Sequence, residues 1–126
     1  MSLRTPLAHV RGLGSAKEGV AHWWAQRVTA VALIPLTLWL VVSLLVMARA
    51  DYDSLRAWIA RPSTTILLIA LLFSLFYHVI LGLQVVIEDY VHQEGAKIAS
   101  LLLLKFLLIL LGGAAILSVL RIAFGG

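Results

Sequence analysis

The sequence predicts an all-α integral membrane protein with three transmembrane helices, and three observations predict it. The chain has 126 residues, is 62% hydrophobic and has a mean hydropathy of +1.02, which is more apolar side chain than a water-soluble core of this size can hide. It contains three long runs almost free of charge, 28–48, 62–87 and 98–120, broken only by His78 and Lys105. Each is longer than the roughly 20 residues a helix needs to cross a hydrocarbon core of about 30 Å. Finally, the runs are apolar all round, whereas the strands of a membrane barrel alternate apolar and polar residues.

The elements follow in order within a single membrane domain, 1–126. A polar N-terminal tail, 1–22, carries no catalytic motif and is expected to rest on the lipid surface or on soluble partners. The first span covers about 25–48. Its end, Met47-Ala48-Arg49-Ala50, has the small-x-small pattern of a signal-peptide cleavage site. The apolar run is nevertheless far longer than the roughly 7 to 15 residues of a secretory h-region, so the span is expected to be retained. Trp23 and Trp24 stand just before Arg27, where amphipathic rings settle at headgroup depth.

Between the first two spans, Tyr52, Leu55, Trp58 and Ile59 recur at helical spacing behind Asp51 and Asp53. Either acid can cap a short surface helix over about 52–60. The second span covers about 63–89 and the third about 97–121, with Lys105 placed to snorkel toward an interface. Three spans put the N-terminus and the 88–97 loop on one face. That face carries Arg4, Arg11, Lys17, Arg27 and Lys97, against Arg49, Arg56, Arg61 and Arg121 on the other. The excess favours a cytoplasmic or matrix N-terminus.

Composition also excludes functions. The net charge of +4 lies on the membrane flanks, without the basic groove of a nucleic-acid binder. There is no cysteine, hence no disulfide, thiolate metal site or iron–sulfur ligation by this chain. No dinucleotide fingerprint, linker or internal repeat is present.

The chemistry gathers in HVILGLQVVIEDY, residues 78–90. At about 100° per residue, Ser74 and Gly82 flank His78 at about 40° on either side, and Asp89 returns to within about 20° of it. This stripe runs from deep in the bilayer to its edge, because Asp89 lies about 16 Å along the axis from His78. His78 is open to two readings. It is either an axial ligand for haem iron, with Gly82 leaving room for a flat macrocycle, or an imidazole hydrogen-bonded to a neighbouring helix. His92 is about 21 Å away along the helix, and His9 and His22 precede the first span. A second iron ligand would therefore come from another polypeptide or another copy. Asp89 and Tyr90, at the interface, suit either a quinone, whose carbonyls need a hydrogen-bond donor and a proton relay, or a simple acidic helix end with a belt tyrosine.

The pattern Ser-x3-His-x3-Gly-x6-Asp-Tyr, within Leu72-Phe73-Ser74-Leu75 to Asp89-Tyr90-Val91, resembles the second helix of a known family: the small hydrophobic membrane-anchor (D) subunit of succinate dehydrogenase, respiratory complex II. Arg27-Val28-Thr29-Ala30 is similar to the opening of that family's first span. Gly14-Ser15-Ala16-Lys17 ahead of HWWAQR resembles its alphaproteobacterial and mitochondrial branch.

The resemblance implies half of a heterodimeric anchor bundle in a bacterial or mitochondrial inner membrane. It implies that His78 is one axial ligand of haem b, that Tyr90 hydrogen-bonds ubiquinone with Asp89 as the adjacent acid, and that Arg27 lies near the haem propionates. The partners it implies are a larger cytochrome b anchor subunit, an iron–sulfur subunit and a flavoprotein subunit, the last two carrying the clusters and FAD. Succinate chemistry would belong to those partners and not to this chain. Two other classes compete: a small transporter or proton-conducting subunit relaying through His78 and Asp89, and an assembly factor without haem.

Overall fold

The computed structural model describes residues 15–125. Four helices account for nearly all of them: α1 (Ser15–Val46), α2 (Tyr52–Ala60), α3 (Pro62–Tyr90) and α4 (Glu94–Ala123). No strand occurs among the described residues. Three stretches are long and apolar enough to cross a membrane, Val20–Val46, Pro62–Tyr90 and Glu94–Ala123, and the chain is an integral membrane protein. Helix α1 takes in residues 15–22 of the segment read as a polar tail. Residues 1–14, with Arg4, His9 and Arg11, lie outside the described residues.

Helix α1 continues through Pro35. A proline there has no N–H to give the Val31 carbonyl, a loss that membrane helices tolerate where neighbours or local adjustment resatisfy the group. Asp51 is the residue that caps α2: its carboxylate accepts from the Ser54 backbone N–H at 2.9 Å. Asp53 instead falls in the first turn. The junction into α3 is tight. Pro62 occupies the first turn, where its missing N–H is not needed. The buried Thr65 hydroxyl donates to the Ile59 carbonyl at 2.7 Å, satisfying an end group of α2. Trp58 is more than a surface anchor, because it stacks on Trp39 of α1 at 5.8 Å between ring centroids and so ties α2 to the first span.

Helix α3 is central. It packs along α1 on one flank and α4 on the other, and α2 braces α3 and α4. Helices α1 and α4 make no close backbone approach to each other among the described residues. The α3–α4 contact is tight at Gly112, which is buried: a Cβ there would stand 3.1 Å from Phe76 Cγ. Only two hydrophobic side chains are buried among the described residues, Leu71 and Leu81, both on α3. The remaining apolar surface faces outward, as it must when the solvent is lipid and neighbouring protein rather than water.

Candidate functional site

The groove between α1 and α3 holds Thr29, His78 and Gln26. Thr29, near the middle of α1, is 8% exposed. His78, near the middle of α3, is half-buried and meets it across the interface, with Nδ1 3.0 Å from Thr29 Oγ1. Among the described residues this is the one side-chain hydrogen bond joining two of the long helices. Thr29 Oγ1 also lies 2.7 Å from the Ala25 carbonyl and 3.0 Å from the Gln26 carbonyl of its own helix, and its hydroxyl donates to them. His78 thus has one ring nitrogen engaged by protein and keeps Nε2 for another partner.

One turn beyond His78, the groove opens into a cavity of about 600 Å³ lined by His22, Trp23, Gln26, Arg27, Leu81, Gly82 and Val85. Gly82 belongs to its floor: a Cβ built there would meet only Gln26 Nε2, at 3.8 Å. The Gln26 Oε1 atom is buried without a hydrogen-bond partner, so a polar occupant has an unsatisfied group to meet. Arg27 is exposed on the rim, and its guanidinium carbon lies 5.3 Å above the Trp23 ring, a cation–π contact that restrains an otherwise mobile side chain. Trp23 packs edge-on against Trp24 at 5.0 Å.

These residues fit a flat, anionic, metal-bearing group. They offer one imidazole with its second nitrogen held, a missing side chain where a ring plane needs space, and an exposed guanidinium on the rim able to meet carboxylates. No group of three or more metal-ligating side chains occurs among the described residues. A lone histidine suits a metal whose other ligands come with its macrocycle and from a partner.

The second half of the predicted stripe lies apart from this cavity. Asp89 and Tyr90 form the last turn of α3, about 16 to 18 Å along the axis from His78. Both are exposed, Tyr90 at 77%. Neither makes a side-chain hydrogen bond or ion pair among the described residues. Gln84 donates to Glu88 Oε1 at 3.1 Å, one turn below. Sequence reasoning put His78 and Gly82 on one face, the resemblance added Arg27, and Gly82 and Arg27 line one cavity a turn from His78. That reasoning missed Thr29 and Gln26, whose signal was a hydroxyl and an amide within two positions of Arg27.

Comparison with known proteins shows the family. The succinate dehydrogenase/fumarate reductase transmembrane subunit family matches residues 1–112. The chain is 38% identical over 117 residues to the succinate dehydrogenase hydrophobic membrane anchor subunit of Rickettsia bellii, covering 92% of this chain and 93% of that one. The corresponding subunit of Paracoccus denitrificans is 36% identical over 101 residues, 78% of this chain and 75% of its own. The membrane anchor subunit of Reclinomonas americana is 32% identical over 96 residues, 74% and 80% respectively. With three apolar helices and no soluble domain among its described residues, the chain belongs to the succinate dehydrogenase/fumarate reductase transmembrane subunit family, as a hydrophobic membrane anchor in that oxidoreductase complex.

Proposed function

We propose that this anchor supplies one axial ligand to haem b through His78 and contributes Tyr90 and Asp89 to a ubiquinone-reduction site. The observation that carries the reading is the half-buried His78 on the α1–α3 groove, next to a cavity floored by Gly82 and rimmed by Arg27. Family membership implies association with the flavoprotein and iron–sulfur subunits and with the membrane. We infer further that a larger cytochrome b subunit covers the groove, gives the second axial ligand and completes a heterodimeric bundle. In this reading FAD and the clusters stay in the soluble subunits, and the chain oxidises no succinate alone. The membrane is the bacterial or mitochondrial inner membrane, with the N-terminus on the cytoplasmic or matrix side, as the basic residues favour.

Bound haem supplies a one-electron carrier within the bilayer. What the chain's own residues do is hold and orient. His78 presents an imidazole nitrogen to the iron. Arg27 pairs with the propionates, its exposure leaving it able to adjust. Tyr90 donates its phenolic hydrogen bond to a quinone carbonyl, and Asp89, open to water at the helix end, passes protons toward it. The exposure of Tyr90 and Asp89 in the single chain is consistent with a pocket whose remaining walls belong to other subunits.

The test is a reduced-minus-oxidised optical spectrum of the purified complex. His78→Ala should abolish the b-type band while the other subunits still co-purify. A band of unchanged intensity in His78→Ala would remove the haem assignment and favour a proton-conducting role for His78 and Asp89.

A further inference from the structure

The contact between α1 and α3 carries more than helix packing. Thr29 has one hydroxyl proton, and its oxygen is 2.7 Å from the Ala25 carbonyl oxygen. Two oxygens that close need a proton between them, so the hydroxyl proton is committed to α1. The short contact with His78 Nδ1, at 3.0 Å, then requires the remaining hydrogen to sit on the ring, with Nδ1–H donating to Thr29 Oγ1. The opposite tautomer would set the Nδ1 and Oγ1 lone pairs against each other at 3.0 Å, at a threonine that is 8% exposed.

We propose that Thr29 is the positioning residue for His78: its hydroxyl fixes the Nδ1–H tautomer, orients the ring plane and leaves Nε2 as the ligating nitrogen. This rests on the reading of His78 as a haem ligand and extends it to a residue on a different helix. Two consequences follow from the chemistry. Donation from Nδ1–H makes the imidazole more electron-rich, which strengthens its bond to ferric iron more than to ferrous iron and lowers the midpoint potential. The bond also locks ring rotation, which sets the symmetry of the iron's ligand field. Arg27 stands two residues before Thr29 on α1, so one short segment addresses both the ligand and the rim of the cavity.

The experiment compares the assembled complex carrying Thr29→Val, which keeps the side-chain shape and loses the hydroxyl, with Thr29→Ser, which keeps the hydroxyl. Haem potential is measured by spectroelectrochemistry and the ferric low-spin signal by electron paramagnetic resonance. Thr29→Val should raise the potential, by about 59 mV for each tenfold loss of preference for ferric over ferrous iron, and should broaden or shift the low-spin signal. Thr29→Ser should retain both wild-type values. A Thr29→Val complex with full haem, an unchanged potential and an unchanged signal overturns the proposal.

If Thr29→Val takes up no haem, Thr29→Ser decides: restored haem at the wild-type potential supports the hydroxyl's role, and loss in both variants overturns it. His78→Ala separates the two levels. Loss of the band there, with Thr29→Val silent, sinks only the role of Thr29. An intact band there sinks the ligand assignment itself.

Discussion

Gly112 is a buried position where α4 meets Phe76 of α3, and its replacement tests the packing directly. A Cβ on Gly112 would lie 3.1 Å from Phe76 Cγ and 3.4 Å from Phe76 Cβ and Cδ1, against the roughly 3.5 to 4.0 Å at which carbon atoms sit comfortably. The ring must therefore withdraw by a few tenths of an ångström to admit a methyl group. It has somewhere to go, because Phe76 borders a slot of about 270 Å³ between the two helices. Against that strain stands the roughly 1 kcal/mol by which alanine outperforms glycine inside a helix. Gly112→Ala is thus expected near neutrality. Gly112→Leu adds three further carbons beside a ring already 3.1 Å from the would-be Cβ, so Phe76 must leave its rotamer or the helices must part, at a cost of about 1 to 3 kcal/mol. Gly113 has nothing within 4 Å of its would-be Cβ, so Gly113→Ala should gain part of the helix term and lose nothing. Thermal loss of helical circular dichroism in detergent micelles ranks the variants. A Gly112→Leu chain that melts no earlier than Gly112→Ala would show that Phe76 does not confine the α3–α4 approach.

Three further outcomes are expected. Tyr90→Phe should lower quinone reductase turnover of the complex by about 2- to 10-fold, the worth of one hydrogen bond, with haem content unchanged; equal turnover would remove the phenol from the quinone's contacts. Arg27→Gln should lower the haem potential, because loss of a nearby cation favours the more positive ferric state, and the guanidinium's exposure limits the shift to tens of millivolts. Hydrogen bonds from Ser54, its side chain first and its backbone N–H next, hold the Asp51 carboxyl below the usual aspartate range. Its support for α2 is therefore complete above the ordinary value of about 3.9 and is lost as pH falls through the lower folded value. The Ser54 amide resonance should report that loss in an acid titration, and Asp51→Asn, an equally good cap, should abolish the pH dependence.

The spans were legible because the bilayer imposes one length on them and charge is costly inside it, so 62–87 and 98–120 announce themselves by what they lack. His78 was legible for the same reason: it is the one imidazole in those runs. The α2 cap was narrowed to Asp51 or Asp53, and the choice between them depends on where the helix begins, which Ser54 decides locally. Thr29 was not legible as a partner of His78. The two are 49 positions apart, and their meeting depends on the rotation of α1 against α3, which neither helix's own pattern specifies. Gly112 and Gly113 make the same point. They are identical letters in adjacent positions, and a turn of about 100° puts one against Phe76 and leaves the other open. At Asp89 and Tyr90 the reading of an acid and a phenol at a helix end matches the last turn of α3. Among the described residues nothing encloses them, because they lie at an exposed helix end.

Among the described residues the outer spans make no close backbone approach to each other and are joined through the middle span and α2, so the three spans form a row with two broad sides. During synthesis α1 enters the bilayer with no companion until α3 arrives, and α4 then docks on α3 without reaching α1. A copy left without a partner would keep its imidazole-bearing cleft open to acyl chains. On the proposed reading, in which a larger anchor subunit covers that cleft, a surplus copy would expose a polar seam to lipid.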